Sequence, residues 1–198
     1  MSETLIDLIR HGEPVGGQKY RGQIDDPLSE KGWQQMREKL AGHSPWQSVI
    51  SSPLSRCRAF AEELSARHQL PLAVDNRLKE VGFGAWEGKT AVQLIEEDPD
   101  QVKRFKADPV NQRPAGAEPM KAFYQRVAAA LDEIIQRHHQ QHVLIVCHAG
   151  VIRMVLAHVL HIPLINAYRI EVANAALTRI AVDLSGNGRL VFHNGRPG

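Results

Sequence analysis

Residues 142–153, HVLIVCHAGVIR, decide the fold. An apolar run over 142–147 stops at His148, and Ala149 and Gly150 follow before a second apolar stretch begins. A short run of this kind, rich in β-branched residues, is the pattern of a strand buried on both faces. Residues 4–13, TLIDLIRHGE, repeat the form: the apolar run 4–10 stops at His11, with Gly12 behind it. In open α/β sheets, ligands bind beyond the carboxyl ends of the strands. Two such strands side by side would bring both imidazoles to one edge.

Working outward, strands and helices alternate. Ser29 is placed to cap a helix with Trp33, Met36 and Leu40 on one face. Residues 47–51 and 71–75 read as further short strands. Between them Pro53 opens a helix with an apolar stripe at Cys57, Phe60, Ala61 and Leu64. Helices are expected over 90–97, 99–107, 118–138 and 151–160, the last apolar nearly all round. Strands at 168–172, 176–183 and 188–193 close the chain. This alternation predicts a three-layer α/β/α sandwich around a mostly parallel sheet. At 198 residues the chain is expected to form one domain, 1–198. A chain of this size buries roughly 70% of its extended surface without staples. The Pro- and Gly-rich stretch 107–119 reads as an excursion within that domain.

Composition excludes several classes. The chain is 43% hydrophobic and 23% charged, which argues against disorder. Its net charge is +2 with no basic run, so neither nucleic acid nor a membrane surface is an expected partner. Two cysteines, Cys57 and Cys147, cannot build a disulfide framework or a zinc ribbon, and both sit in apolar patterns as buried thiols. Charges at Glu3, Asp7 and Arg10 break the N-terminus, unlike a signal peptide, so a cytoplasmic location is expected. The polar cluster His138, His139 and His142 reads as solvated surface rather than a metal site. His158 and His161 read as structural.

A third strand end brings arginines to the same edge, in SSPLSRCR over 51–58. Guanidinium grips phosphate oxygens with a two-pronged fork, and helix N-termini offer free N–H groups to anions. Arg10, Arg58 and the helix start at Gly150 are therefore the expected pocket for a phosphoryl dianion. Arg56 reads as a solvated helix residue or a supporting partner. Arg153 reads as a member of a structural ion pair. Glu80 lies among Val81, Phe83 and Trp86, an apolar setting of the kind that favours a proton-donating carboxyl.

LIRHGEP (8–14), SSPLSRCRAFAEEL (51–64), EVGFGAWEG (80–88) and VLIVCHAGVIR (143–153) together resemble the histidine phosphatase, or phosphoglycerate mutase-like, superfamily. The resemblance covers nearly the whole chain and is nearest to the α-ribazole phosphatase-like branch. It implies a phosphatase in which His11 is the nucleophile, Glu80 the proton donor and His148 a further catalytic group. Arg10 and Arg58 would bind phosphate. Arg21, Tyr20, Phe83 and Trp86 are candidate substrate contacts, and 90–125 is a substrate-side cap. No metal and no cofactor are implied. The expected partner is a small phosphate ester, with α-ribazole 5′-phosphate the named candidate, acted on by a monomer or homodimer. The alternatives are phosphoglycerate mutase-type transfer, a protein phosphohistidine phosphatase, and a non-catalytic binder of phosphorylated ligands. The chain departs from the family at Ala115–Gly116–Ala117–Glu118–Pro119, where a Gly-Gly-Glu-Ser-like element is usual, and at Gln18, where an Asn is usual.

Overall fold

The computed structural model describes residues 3–195. Six strands form one sheet: β1 (Thr4–Arg10), β2 (Ser48–Ser51), β3 (Leu72–Val74), β4 (His142–Cys147), β5 (Leu177–Val182) and β6 (Gly188–Gly195), in the order β3-β2-β4-β1-β5-β6. The first four in that order are mutually parallel, whereas β5 runs antiparallel to β1 and β6 antiparallel to β5. The α-helices are α1 (Glu30–Lys39), α2 (Ser55–His68), α3 (Ala91–Glu97), α4 (Gln101–Ala107), α5 (Met120–Arg137) and α6 (Ala149–Val159).

Side chains alternate across a strand, so one sequence feeds two cores. Along β4, Val143, Ile145 and Cys147 pack with Phe123, Val127 and Leu131 of α5 and with Val151 and Val155 of α6. Leu144 and Val146 pack on the other face with Met36 of α1 and Phe60, Ala61 and Leu64 of α2. This is why β4 must be apolar from Val143 to Cys147. Ser29 caps α1 by accepting from the Gly32 N–H, as its spacing predicts. Leu94, Val102 and Phe105 of α3 and α4 are buried in the same core as Phe83 and Trp86, so 90–107 is anchored to the loop that carries Glu80.

Some boundaries move. The helix expected at Pro53 begins at Ser55, and the one expected at 151 begins at Ala149. The expected strand at 168–172 is absent. A 3₁₀ turn spans Leu164–Arg169, and the position beside β1 is taken by β5. The carbonyls that such a strand would pair are instead taken by arginines: Arg153 Nε donates to Ile170 O at 2.9 Å and Arg10 Nη1 to Val172 O at 2.6 Å.

His142 also corrects its sequence reading. It is 5% exposed, and its Nε2 lies 3.0 Å from Oδ2 of the fully buried Asp7. Asp7 further accepts from Trp46 Nε1 at 2.9 Å and from Arg179 Nε at 2.7 Å. Burial alone would push this carboxyl up, but the hydrogen bonds from His142, Arg179 and Trp46 hold it below its ordinary value.

Candidate active site

Strand register places the two histidines. In the parallel pair β1·β4, Arg10 stands opposite Cys147, so His11 and His148 are each one step beyond the ladder. The His11 N–H donates to Cys147 O at 3.0 Å and extends the pairing. The imidazoles meet edge to face with centroids 5.2 Å apart. Strand β2 ends level with them: Ser52 N–H donates to Val146 O at 3.0 Å, and Ser52 Oγ lies 2.7 Å from His148 Nε2.

His11 is 6% exposed and its Nδ1 is 2.7 Å from the Gly12 carbonyl oxygen. A carbonyl only accepts, so Nδ1 carries the proton and Nε2 keeps its lone pair. Gly12 also packs on the α1 backbone, where a Cβ would fall 2.1 Å from Gly32 O. Burial first, and then the charges of Arg10 and Arg56, hold the His11 pKa well below its ordinary value. His148 is held down by burial, Arg56, His11 and Arg10. Both rings are neutral at physiological pH.

The arginines are not those expected. Arg58 is half exposed and paired with Glu62 one turn along α2, at 2.7 Å, facing solvent. Arg56, read as solvated or supporting, is 1% exposed and is the charge on α2 that bears on both histidines. Its Nη1 and Nη2 donate to Ile24 O at 2.7 Å and Gly22 O at 2.9 Å, which fixes the guanidinium plane. Its Nε and that of Arg10 are buried with no hydrogen-bond partner among the described residues. Burial pushes Arg10 down to about 10, with Glu80 opposing and Arg153 and Arg56 adding to the fall. It remains a cation near neutrality.

Glu80 is brought to the same edge, but its surroundings are not hydrocarbon. Its carboxyl oxygens accept from the N–H groups of Val81 at 2.9 Å and Gly150 at 3.1 Å. The α6 N-terminus thus holds Glu80, whereas sequence reading gave it to a phosphoryl anion. Gly150 is required here: a Cβ would lie 2.1 Å from Glu80 Oε1. Arg126 of α5 fastens the same loop, donating to the carbonyls of Arg77 at 2.6 Å, Lys79 at 2.8 Å and Glu80 at 3.1 Å. Glu118, in the segment that departs from the family pattern, pairs with Arg126 at 2.7 Å. Pro119 stands at the N-cap of α5 and supplies no side-chain cap.

The candidate substrate contacts divide. Arg21 is buried and its charge reaches His11, but its Nε is engaged by Asp26 at 2.8 Å and its Nη2 by Val15 O at 2.6 Å. Tyr20 is half-buried, and its ring packs edge-on against Phe83 at 5.2 Å and Trp86 at 5.1 Å. Phe83 and Trp86 are buried in the core as well as adjoining Tyr20. Gln18 is exposed.

Sequence reading missed Arg56, Arg126, Arg113, Tyr168 and the position of Arg153. Among the described residues Arg153 has no carboxylate partner, and it lies 4.7 Å over the Tyr168 ring. One usable signal was the i, i+4 spacing of Arg58 and Glu62, which marks a solvated pair on a helix surface. No helix among the described residues is long and apolar enough to cross a membrane.

A family model described as the histidine phosphatase superfamily (branch 1) matches residues 6–194. The chain is 31% identical over 199 residues to a bifunctional protein of Mycobacterium tuberculosis, covering 97% of this chain and 54% of that relative. It therefore spans about half the length of the mycobacterial relatives it matches. It is 30% identical over 180 residues to an adenosylcobalamin/alpha-ribazole phosphatase of Salmonella typhimurium, covering 88% and 89% of the two chains. Among solved structures, a mycobacterial glucosyl-3-phosphoglycerate phosphatase in complex with VO3 superimposes with a TM-score of 0.87 at 27% identity, over 96% and 98% of the chains.

Proposed function

Because this chain belongs to the histidine phosphatase superfamily, we propose that it hydrolyses small phosphomonoesters through a phosphohistidine formed on His11. The observation that carries the reading is the His11 ring itself: buried, held neutral by Arg10 and Arg56, with Nδ1 bound to Gly12 O and Nε2 left as the nucleophilic lone pair.

In the first step His11 Nε2 attacks phosphorus, and the P–O bond to the alcohol breaks. The leaving oxygen takes a proton from the Glu80 carboxyl, which the Val81 and Gly150 N–H groups keep in place. In the second step water attacks the phosphohistidine, Glu80 recovers its proton from that water, and His11 departs neutral with inorganic phosphate released. Arg10 and Arg56 hold the three equatorial oxygens, supplying fixed positive charge where negative charge is spread in the transition state. His148, oriented by Ser52 Oγ, adds a donor on the same side. Candidate substrates are α-ribazole 5′-phosphate and other phosphorylated metabolites of similar size.

Hydrolysis of p-nitrophenyl phosphate in excess chelator tests this, with the unsubstituted protein compared with His11→Ala. Turnover in the first and none in the second is expected. Equal turnover in both overturns the role of His11. No turnover in either moves the reading to phosphoryl transfer between metabolites or to binding alone.

A further inference from the structure

Ser52 lies one residue past β2 and is fully buried. Its backbone is held on both sides: the N–H donates to Val146 O at 3.0 Å, and the carbonyl accepts from Ser51 Oγ at 2.8 Å. The Ser52 hydroxyl oxygen accepts from the Leu54 N–H at 3.4 Å and lies 2.7 Å from His148 Nε2. It has no other partner among the described residues.

A hydroxyl has one proton to give. If His148 Nε2 carried a hydrogen, that N–H would donate to Ser52 Oγ. The serine proton would then be buried with nothing to receive it, an arrangement that native interiors avoid. The opposite arrangement leaves no orphan: the Ser52 O–H donates to the Nε2 lone pair, and the ring proton of His148 sits on Nδ1.

Cys57 leaves this choice to Ser52. Its thiol proton goes to Cys147 O at 3.3 Å, so toward the imidazole the sulfur only accepts. Cys57 Sγ lies 3.6 Å from Nε2 and 3.8 Å from Nδ1 of His148. A weak acceptor almost equidistant from both nitrogens does not select between them. Once Ser52 has chosen, the Nδ1–H has only this sulfur for a partner among the described residues. It is therefore the hydrogen that an incoming oxyanion can take.

The two imidazoles, 5.2 Å apart, are thus set by different neighbours for opposite tasks. In His11 the Gly12 carbonyl accepts from Nδ1 and leaves Nε2 as a lone pair. In His148 the Ser52 hydroxyl occupies the Nε2 lone pair and leaves Nδ1–H as a donor.

We propose that Ser52 is a positioning residue that fixes the tautomer of His148, so that the neutral ring presents Nδ1–H to a phosphoryl oxygen. The tautomer stands on the protein's own hydrogen bonds; only the identity of the oxyanion rests on the phosphatase reading above.

Nitrogen-15 NMR of the imidazoles near neutral pH reads the tautomer directly, with the His148 signals identified by their loss in His148→Gln. A protonated Nδ1 and a bare Nε2 are expected. A protonated Nε2 overturns the proposal. In Ser52→Ala both nitrogens face the same sulfur, so mixed tautomers are expected. Ser52→Thr keeps the hydroxyl and is expected to restore the single form. An unchanged tautomer in Ser52→Ala overturns Ser52 as its cause. With p-nitrophenyl phosphate, kcat in Ser52→Ala is expected to fall about tenfold, less than the roughly 10²–10³-fold cost of deleting an oxyanion donor, because the anion itself recruits the Nδ1–H form. Ser52→Thr should recover most of that loss. A Ser52→Ala protein that melts earlier but keeps both kcat and tautomer makes Ser52 purely structural and overturns the proposal. Should Ser52→Ala not fold, the spectrum of the unsubstituted protein decides: Nδ1–H upholds the assignment and Nε2–H overturns it. The spectra need no turnover. If no ester is hydrolysed, the phosphatase reading fails, while a protonated Nδ1 that turns mixed in Ser52→Ala upholds the role of Ser52.

Discussion

The sharpest disagreement between motif and structure concerns two arginines two positions apart, and substituting each separates them. Arg56 is buried, spans the carbonyls of Ile24 and Gly22, and bears on both histidines. Arg56→Gln keeps at most one of those bonds. A lost hydrogen bond from a charged donor costs about 1.5–3 kcal/mol. In a chain of this length that lowers Tm by roughly 3–12 °C. The catalytic loss is larger, because removing one fixed donor from a developing oxyanion costs about 10²–10³-fold in kcat. Arg58→Gln removes an exposed pair with Glu62, worth about 0.5 kcal/mol or less. Its kcat/KM should stay within about twofold of the unsubstituted value, the scale of such a surface change. Steady-state hydrolysis of p-nitrophenyl phosphate beside a thermal melt reads both quantities. Arg56→Lys controls for folding, since it keeps the charge and loses the fork. Loss of activity in Arg58→Gln, with Arg56→Gln active, would refute the assignment and restore the sequence expectation.

Four further outcomes follow from the structure. Gly150→Ala drives a Cβ to 2.1 Å from Glu80 Oε1, so the carboxyl must move; kcat should fall about 10²-fold for alkyl phosphates and much less for p-nitrophenyl phosphate, whose leaving group needs little protonation. Arg126→Gln, which frees the carbonyls of Arg77, Lys79 and Glu80, should reproduce that leaving-group dependence, and a uniform loss across esters would make Arg126 merely structural. Asp7→Asn breaks a buried charged network and should cost about 3–5 kcal/mol by urea titration, while the folded fraction keeps its specific activity. The pH effect has a definite sign. The folded pKa values of His11 and His148 lie well below 6.5. As pH falls below about 6.5 the unfolded chain binds protons that the folded one refuses. Stability is therefore greatest above that value and is lost toward the folded pKa values. The urea midpoint should drop between pH 7.5 and pH 5.5, and an unchanged or higher midpoint at the lower pH would contradict the neutral-histidine geometry.

What could be read from the sequence was whatever neighbours along the chain determine. β1 and β4 were legible because each is an apolar run ended by a histidine, and their parallel pairing then fixes His11 beside His148. The helices α2 and α5 were legible from the apolar stripes that they bury. Partners distant along the chain decided the rest. Residues 168–172 have strand-like composition, but Arg10 and Arg153 take their carbonyls, and neither contact leaves a local trace. Glu80 has apolar neighbours in sequence and an α6 N-terminus in space. At the start of α2 a two-residue step turns a side chain by about 200°. The same SRCR motif therefore puts Arg56 against the histidines and Arg58 in water, and an arginine count cannot tell them apart.

The same limit explains why the charge balance of the site was invisible before the fold was known. The chain as a whole is nearly neutral, with 24 basic and 22 acidic residues, so composition gives no hint of a local excess. The excess arises because carboxylates elsewhere are already committed: Asp26 to Arg21, Glu118 to Arg126 and Glu62 to Arg58. Glu118, whose field reaches Arg113, is thereby committed to Arg126. Arg10 and Arg113, on which Glu80 acts, therefore depend on ion pairs outside the phosphoryl pocket as much as on the residues within it. Glu118→Gln shows the consequence. It would release Arg126 as a further free cation, loosen the loop holding Glu80, and so alter the leaving-group dependence from a position that touches neither the phosphoryl group nor His11.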